Sequence, residues 1–286
     1  EIHAERVLVA VGRRPDLEGL CLEKADVEHN ARGIVVDRWL RTSASHIYAC
    51  GDIAGPYQLA TTAETQGIAA ATNACLPVKR SVDYRNNVYV IFTEPTLAWV
   101  GLTEGDARAK HGRDLRAYRF PYGTMRRALI DGTGTGMAKF LCDGRGRIVG
   151  AHILGESAAE VIHEAALIRA MNKPLHAIQA VTHAYPTYAQ ALVGRASQLA
   201  FLDRMAGNPF ASLALQLLPG YANRLHLARE RLAEAHTVPA AAFSPEALPS
   251  DQRACVIEAR MAGGEVAVLD VRGVLDGACE EALARA

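Results

Sequence analysis

The stretch Ile47-Tyr-Ala-Cys-Gly-Asp52, with the run Leu59 to Leu76 behind it, constrains the fold of this chain most. Ile47, Tyr48 and Ala49 are apolar and stopped by a Gly-Asp pair, the pattern of a short buried strand. After a loop with Gly55 and Pro56, the Ala- and Thr-rich run from Leu59 to Leu76 predicts a helix. A carboxylate at a strand end, just ahead of a helix N-terminus, sits where open α/β sheets bind ligands. There Asp52 can accept hydrogen bonds from a polyol, while the first N–H groups of the helix face an anion or a carbonyl. Asp52 can equally do no more than close a turn or cap the helix.

Upstream, Arg6 to Val11 is a continuous apolar run, expected as a strand buried on both faces. Gly12 permits a tight turn after it, and Pro15 ends pairing. Gly33 to Asp37 is a second expected strand, and Leu17 to Val27 a Leu-rich connection. The 31 basic and 31 acidic residues balance, which gives no reason to invoke nucleic acid. The six cysteines, at 21, 50, 75, 142, 255 and 279, contain no C-x-x-C pair. They read as reduced, buried small residues, with no metal site. No apolar run is long enough to span a bilayer, and the expected compartment is the cytoplasm. The chain opens at Glu1 in mid-pattern, as expected for a segment of a longer protein.

Beyond a boundary at Pro77 to Asp83 the pattern changes. Strands are expected at Val88–Phe92, Pro95–Gly101, Leu115–Pro121, Met137–Cys142 and Ile148–Leu154, with helices after Thr103 and from Glu156 to Met171. Thr103 is the expected N-cap, and Asp143-Gly-Arg-Gly146 the expected hairpin turn. This block predicts an α+β domain with an antiparallel sheet. The glycine-rich run Asp131 to Gly136 precedes a strand pattern, so it reads as a hairpin loop and not a phosphate cradle.

In series, Ala10-Val-Gly-Arg-Arg-Pro15, Gly33-Ile-Val-Val-Asp37, Arg41-Thr-Ser43 and Ile47 to Asp52 resemble the pyridine nucleotide–disulfide oxidoreductases, among them dihydrolipoamide dehydrogenase, glutathione reductase and mercuric reductase. Pro95 to Glu104, Ile148 to Gly155 and Ala159 to Glu164 resemble that family's C-terminal dimerisation domain. The resemblance implies an α/β portion of a Rossmann-like FAD-binding domain over residues 1–80, then an α+β dimerisation domain over 81–200. It implies FAD and NAD(P)H as cofactors and a homodimer as the assembly. Gly12 would lie beside the nicotinamide nucleotide and Asp52 on the flavin ribityl chain. Gln58, Leu59, Ala60 and Thr61 would form the flavin-contacting helix start. The family's own glycine-rich nucleotide motifs would lie upstream of Glu1.

The segment Thr182-His-Ala-Tyr-Pro-Thr-Tyr-Ala-Gln190 resembles the family's H-x-x-x-x-E motif, whose His precedes Pro-Thr and acts as general acid/base, oriented by the Glu. Here Tyr185 takes the His position and Gln190 the Glu position, with His183 two residues earlier. A phenol, with an ordinary pKa near ~10, does not cycle protons at neutral pH as imidazole does. Mercuric reductase-like members carry Tyr near this place, which directs the reading to that branch. The expected function is hydride transfer from NAD(P)H to FAD and on to a disulfide or metal-type acceptor. The alternative is a catalytically inactive dimerisation fragment. Residues 201–240 read as a helical extension, whose basic amphipathic stretch at 212–234 could lie on a membrane surface, a partner or the protein itself. Residues 241–286 read as a linker and the start of a further domain, with a rhodanese-like opening strand at Glu265 to Arg272.

Overall fold

The structure is a computed structural model that describes Arg6, residues 8–206, Asn208 and Phe210, with two short strands at Met261–Ala262 and Glu265–Val266. The 212–234 stretch, the linker and most of the rhodanese-like segment lie outside the described residues. Over the described residues up to Phe210, the chain divides between Tyr84 and Arg85 into two units.

In the first unit regular structure is sparse. A 3-10 turn at Leu22–Ala25 precedes β1 (His29–Asn30) and β2 (Gly33–Ile34), which pair antiparallel. Gly33 has φ +124°, and a Cβ there would come within 2.1 Å of the Ile53 carbonyl oxygen. Glycine alone lets β2 approach the 3-10 turn at Gly51–Ile53 so closely. The expected helix is α1 (Ala60–Cys75), whose buried residues are the small or polar Thr62, Gln66, Ala69, Ala70 and Asn73. Asn73 ties the helix to its surroundings: its Nδ2 donates to the carbonyls of Trp39 and Arg80, and its Oδ1 accepts from the Arg80 N–H. The apolar cluster beneath is small, with Leu40, Ala69 and Ala70 at its centre.

Three expectations fail in this unit. Residues 8–11 form no strand, and Leu8 and Val9 are 79% and 70% exposed. A strand buried on both faces needs ladder partners and cover on each side, and the described residues supply neither. Ile47 to Ala49 makes a single bridge, Tyr48 with Arg41, in place of a strand, although Ala49 is buried. Cys21, Cys50 and Cys75 are exposed, because they lie in turns or at the end of α1. Cys142 is the described cysteine that is buried.

The second unit is organised by a five-stranded antiparallel sheet of order β3-β4-β7-β6-β5. Its strands are β3 (Val88–Ile91), β4 (Leu97–Gly101), β5 (Arg116–Pro121), β6 (Met137–Cys142) and β7 (Ile148–Leu154). Period-2 alternation sends Ala98, Val100, Phe120, Ala138, Phe140, Ala151 and Ile153 to one face. There they meet Val161, Ile162, Ala165 and Ile168 of α4 (Ala158–Ala170), together with Ala196 and Ala200 of α5 (Arg195–Ala206). On the other face one cross-strand row runs through all five strands: Tyr89, Trp99, His152, Lys139 and Arg119. Tyr89 and Trp99 stack with centroids 5.0 Å apart. Helix α2 (Glu104–His111) sends Glu104 to the basic end of the row. Its carboxylate accepts from Arg119 at 2.7 Å, lies 3.3 Å from the buried Lys139 Nζ, and also accepts from Arg108 at 2.6 Å.

Local signals account for the connections. Thr103 caps α2 by accepting from the Asp106 N–H. Asp143 Oδ1 accepts from the Arg145 and Arg147 N–H groups at 2.9 Å each, an Asx turn that closes the β6–β7 hairpin. The glycine-rich run is not a simple hairpin loop. Between β5 and β6 the chain inserts a 3-10 turn and the short helix α3 (Arg126–Asp131). Gly136, with φ +133°, is required because a Cβ would approach the Leu154 carbonyl oxygen to 2.1 Å.

Candidate functional site

In the first unit three of the expected site segments converge. Asp52 lies in the Gly51–Ile53 turn, and its Oδ2 is 3.1 Å from the Arg13 guanidinium. Arg13 Nη2 donates to the Gln58 carbonyl at 2.6 Å, and Gln58 Nε2 donates back to the Arg13 carbonyl at 3.3 Å. The turn after Gly12 is thereby tied to both Asp52 and the approach to α1. Gly12 itself has φ +109° and open space where a Cβ would stand.

Leu59 is the N-cap of α1 and offers no side-chain cap; the first bond of the helix runs from the Ala63 N–H to the Leu59 carbonyl. The N–H groups of Ala60, Thr61 and Thr62 therefore precede it, at the positive end of a 16-residue helix.

Sequence reasoning missed Gln66, which supports this turn. It is fully buried, its Oε1 accepts from the Gly51 N–H at 2.7 Å, and its Nε2 donates to the Tyr84 hydroxyl at 2.9 Å. The signal was its place among the residues 62, 66, 69, 70 and 73 that α1 buries. A long amide on that face must have fixed partners.

A carboxylate acceptor with side-chain exposure of 41%, an uncapped helix N-terminus and a buried amide bracing the turn fit the polyol and carbonyl groups of a flavin. Asp52 and the α1 N-terminus are the groups that would hold it.

In the second unit Tyr185 is 64% exposed. Thr187 turns the chain after it, donating to the Ala184 carbonyl and accepting from the Gln190 N–H. Gln190 opens a π-helical turn, Gln190–Gly194, that leads into α5. No hydrogen bond joins Tyr185 to Gln190, so the two motif positions do not form a dyad. His183 does have a carboxylate: its Nε2 is 2.8 Å from Glu164 Oε1 of α4, with side-chain exposures of only 12% and 22%.

Next to the motif lies a cleft of about 430 Å³ with Pro186, Thr187 and Tyr188 on its wall. Tyr188 donates to Asp131 Oδ2 at 2.9 Å and meets the Thr133 hydroxyl at 2.7 Å. Burial, with Asp131 beside it, pushes the Tyr188 phenol up. Arg127 grips the same carboxylate in a bidentate pair and holds it below the usual carboxylate range. Among the described residues no group of three or more His, Cys, Asp or Glu could hold a metal ion. No described helix is long and apolar enough to cross a membrane.

Residues 1–67 match the family model for pyridine nucleotide-disulphide oxidoreductase, and residues 88–196 match the model for the dimerisation domain of the same family. Across these residues the chain belongs to the pyridine nucleotide-disulphide oxidoreductases. Among curated members, the dihydrolipoyl dehydrogenase of Thermus scotoductus is 38% identical over 201 residues, 70% of this chain and 43% of that protein. The mercuric reductase of Staphylococcus aureus is 39% identical over 168 residues, 58% of this chain and 30% of that protein.

Solved members include the HOCl-induced flavoprotein disulfide reductase RclA of Escherichia coli in its Cu(II) complex. It is 28% identical with a TM-score of 0.62, over 66% of this chain and 43% of that one. LpdA of Mycobacterium tuberculosis is 27% identical with a TM-score of 0.60, over 65% and 40%. The chain spans less than half the length of these relatives. The expected fold holds: part of the family's FAD-binding domain, followed by its α+β dimerisation domain with an antiparallel sheet.

Proposed function

We propose that this chain is part of a FAD-dependent NAD(P)H oxidoreductase of the disulfide reductase type, acting as a homodimer in the cytoplasm. The observation that carries the reading is the convergence of Arg13, Asp52 and Gln58 at the open N-terminus of α1. Asp52 accepts hydrogen bonds from the ribityl hydroxyls, and the N–H groups at Ala60 and Thr61, next to Leu59, donate to a carbonyl or anionic edge of the ring. Gln66 keeps the Gly51 N–H satisfied, so the turn holds its shape when Asp52 changes partners. Gly12 leaves room for the backbone to approach the nicotinamide nucleotide. FAD, when bound, supplies the two-electron link between NAD(P)H and a disulfide or metal-type acceptor. Exposed at its turn, Tyr185 faces the acceptor side across the dimer, while Gln190 lacks the charge that would orient an imidazole.

Asp52→Ala tests this. In the full-length enzyme of which this chain is a part, a lowered flavin content of the variant is the expected result, and full flavin retention would count against the assignment. A second reading, a dimerising module without activity, draws on one observation: the Asp52 carboxylate is already engaged by Arg13. A colourless wild-type dimer that takes up no FAD favours that reading.

A further inference from the structure

The motif positions that carry the acid/base dyad in the resembled enzymes are Tyr185 and Gln190 here, and no hydrogen bond joins them. The structure nevertheless places a His–carboxylate pair beside that turn, between residues 19 apart in sequence: His183 Nε2 and Glu164 Oε1, 2.8 Å apart. Both side chains are largely covered, at 12% and 22% exposure. Breaking a contact so shielded from water leaves a largely buried polar group unsatisfied.

The two ends of the pair belong to different parts of the domain. Glu164 sits in α4, whose Val161, Ile162, Ala165 and Ile168 are locked into the core of the sheet. His183 lies two residues before Tyr185, in a stretch without regular structure between a 3-10 turn ending at Ala180 and the helical residues that begin at Tyr188 and lead into the π turn. Gly194 of that π turn lies on the other edge of the ring, since a Cβ there would be 4.0 Å from His183 Nδ1. The imidazole is thus held between α4 and the π turn, with Nε2 committed to Glu164.

We propose that His183 and Glu164 are positioning residues that pin the Tyr185 turn to α4, so that orientation and contact with the acceptor are divided between two places. The inference rests on the proposed function for what Tyr185 contacts, but the pin itself does not depend on flavin. In this arrangement the carboxylate that orients an imidazole serves the backbone of the turn, and the group presented outward is a phenol with no carboxylate behind it.

Hydrogen exchange on the full chain tests the pin, comparing wild type with Glu164→Ala and Glu164→Gln. In Glu164→Ala, amide exchange over residues 182–190 is expected to rise about tenfold while β6 and β7 keep their protection. Glu164→Gln, which retains an acceptor for the imidazole, restores part of it. Unchanged exchange over 182–190 would overturn the proposal, and so would a uniform rise that includes β6 and β7. In NAD(P)H-dependent turnover of the full-length enzyme that contains this chain, Glu164→Ala is expected to lower kcat at constant KM for the nucleotide. Raised exchange with an unchanged kcat would refute the positioning role. If the full-length enzyme that contains this chain neither holds flavin nor turns over, the proposed function fails, and the exchange data still decide whether the pin exists.

Discussion

The two units hold their functional residues in different ways. In the second unit a sheet with a continuous apolar face and two packed helices fixes the frame, and the Tyr185 turn is attached to it at a few points. In the first, the apolar cluster is centred on Leu40, Ala69 and Ala70. Polar ties do much of the rest: Gln66 to Gly51, Asn73 to Arg80 and Trp39, Arg13 to Asp52 and Gln58. A site held by hydrogen bonds keeps its geometry only while each donor and acceptor stays matched, whereas a packed sheet keeps its own frame when a single polar contact at its edge is lost.

The largest expected effect comes from cutting the core that dominates the second unit. Phe140 is fully buried and meets Phe120 edge-on at 6.2 Å. Phe140→Ala should cost about 3–5 kcal/mol, and Leu40→Ala in the first unit about 2 kcal/mol, because a small cluster closes over the gap more easily. Urea unfolding of both variants measures this; equal losses would remove the contrast between the units.

Next in size is a pH effect on the sheet. Although burial alone would raise the Glu104 pKa, the guanidinium groups of Arg108 and Arg119, with the Lys139 ammonium, bring it down to about 2 from 4.5. Because the folded value is the depressed one, the stabilisation is complete above the unfolded value and is lost as pH falls from about 4.5 to about 2. It amounts to something on the order of 3 kcal/mol. Glu104→Gln should flatten the acid limb of the stability curve of the second unit; an unchanged limb would mean that the three cations are not coupled to Glu104 in solution.

The smallest effect is chemical. In native protein a thiol reagent should modify Cys21, Cys50 and Cys75 and spare Cys142, whose thiol burial pushes up. Peptide mapping by mass spectrometry reads this directly. Native labelling of Cys142 would show that the core opens.

What could be read in advance follows the same division. Strands β3 to β7 were legible because alternation, turn residues and the Thr103 cap agree within short windows. The strand expected at Arg6 to Val11 was not, because an apolar run becomes a strand only when partners meet it on both edges. The Asp52 region was legible through its motif, but its two supports were not. Gln66 and Glu164 are ordinary helix residues in sequence, and only the fold brings them to Gly51 and His183. Exposure of Cys50 was equally hidden, since the apolar stretch before it suggested burial throughout.

The π-helical turn at Gln190–Gly194 has a consequence for variation in length. A turn of this kind holds one residue more than an α-helical turn, so the segment after it is out of phase with the segment before it by the step of one residue, about 100°. Deleting a residue within Gln190–Gly194 would leave a more regular helix and yet rotate the Tyr185 side of the chain away from the face that α5 buries. A shorter chain of this kind would fold its sheet as before and present a different residue at the exposed turn.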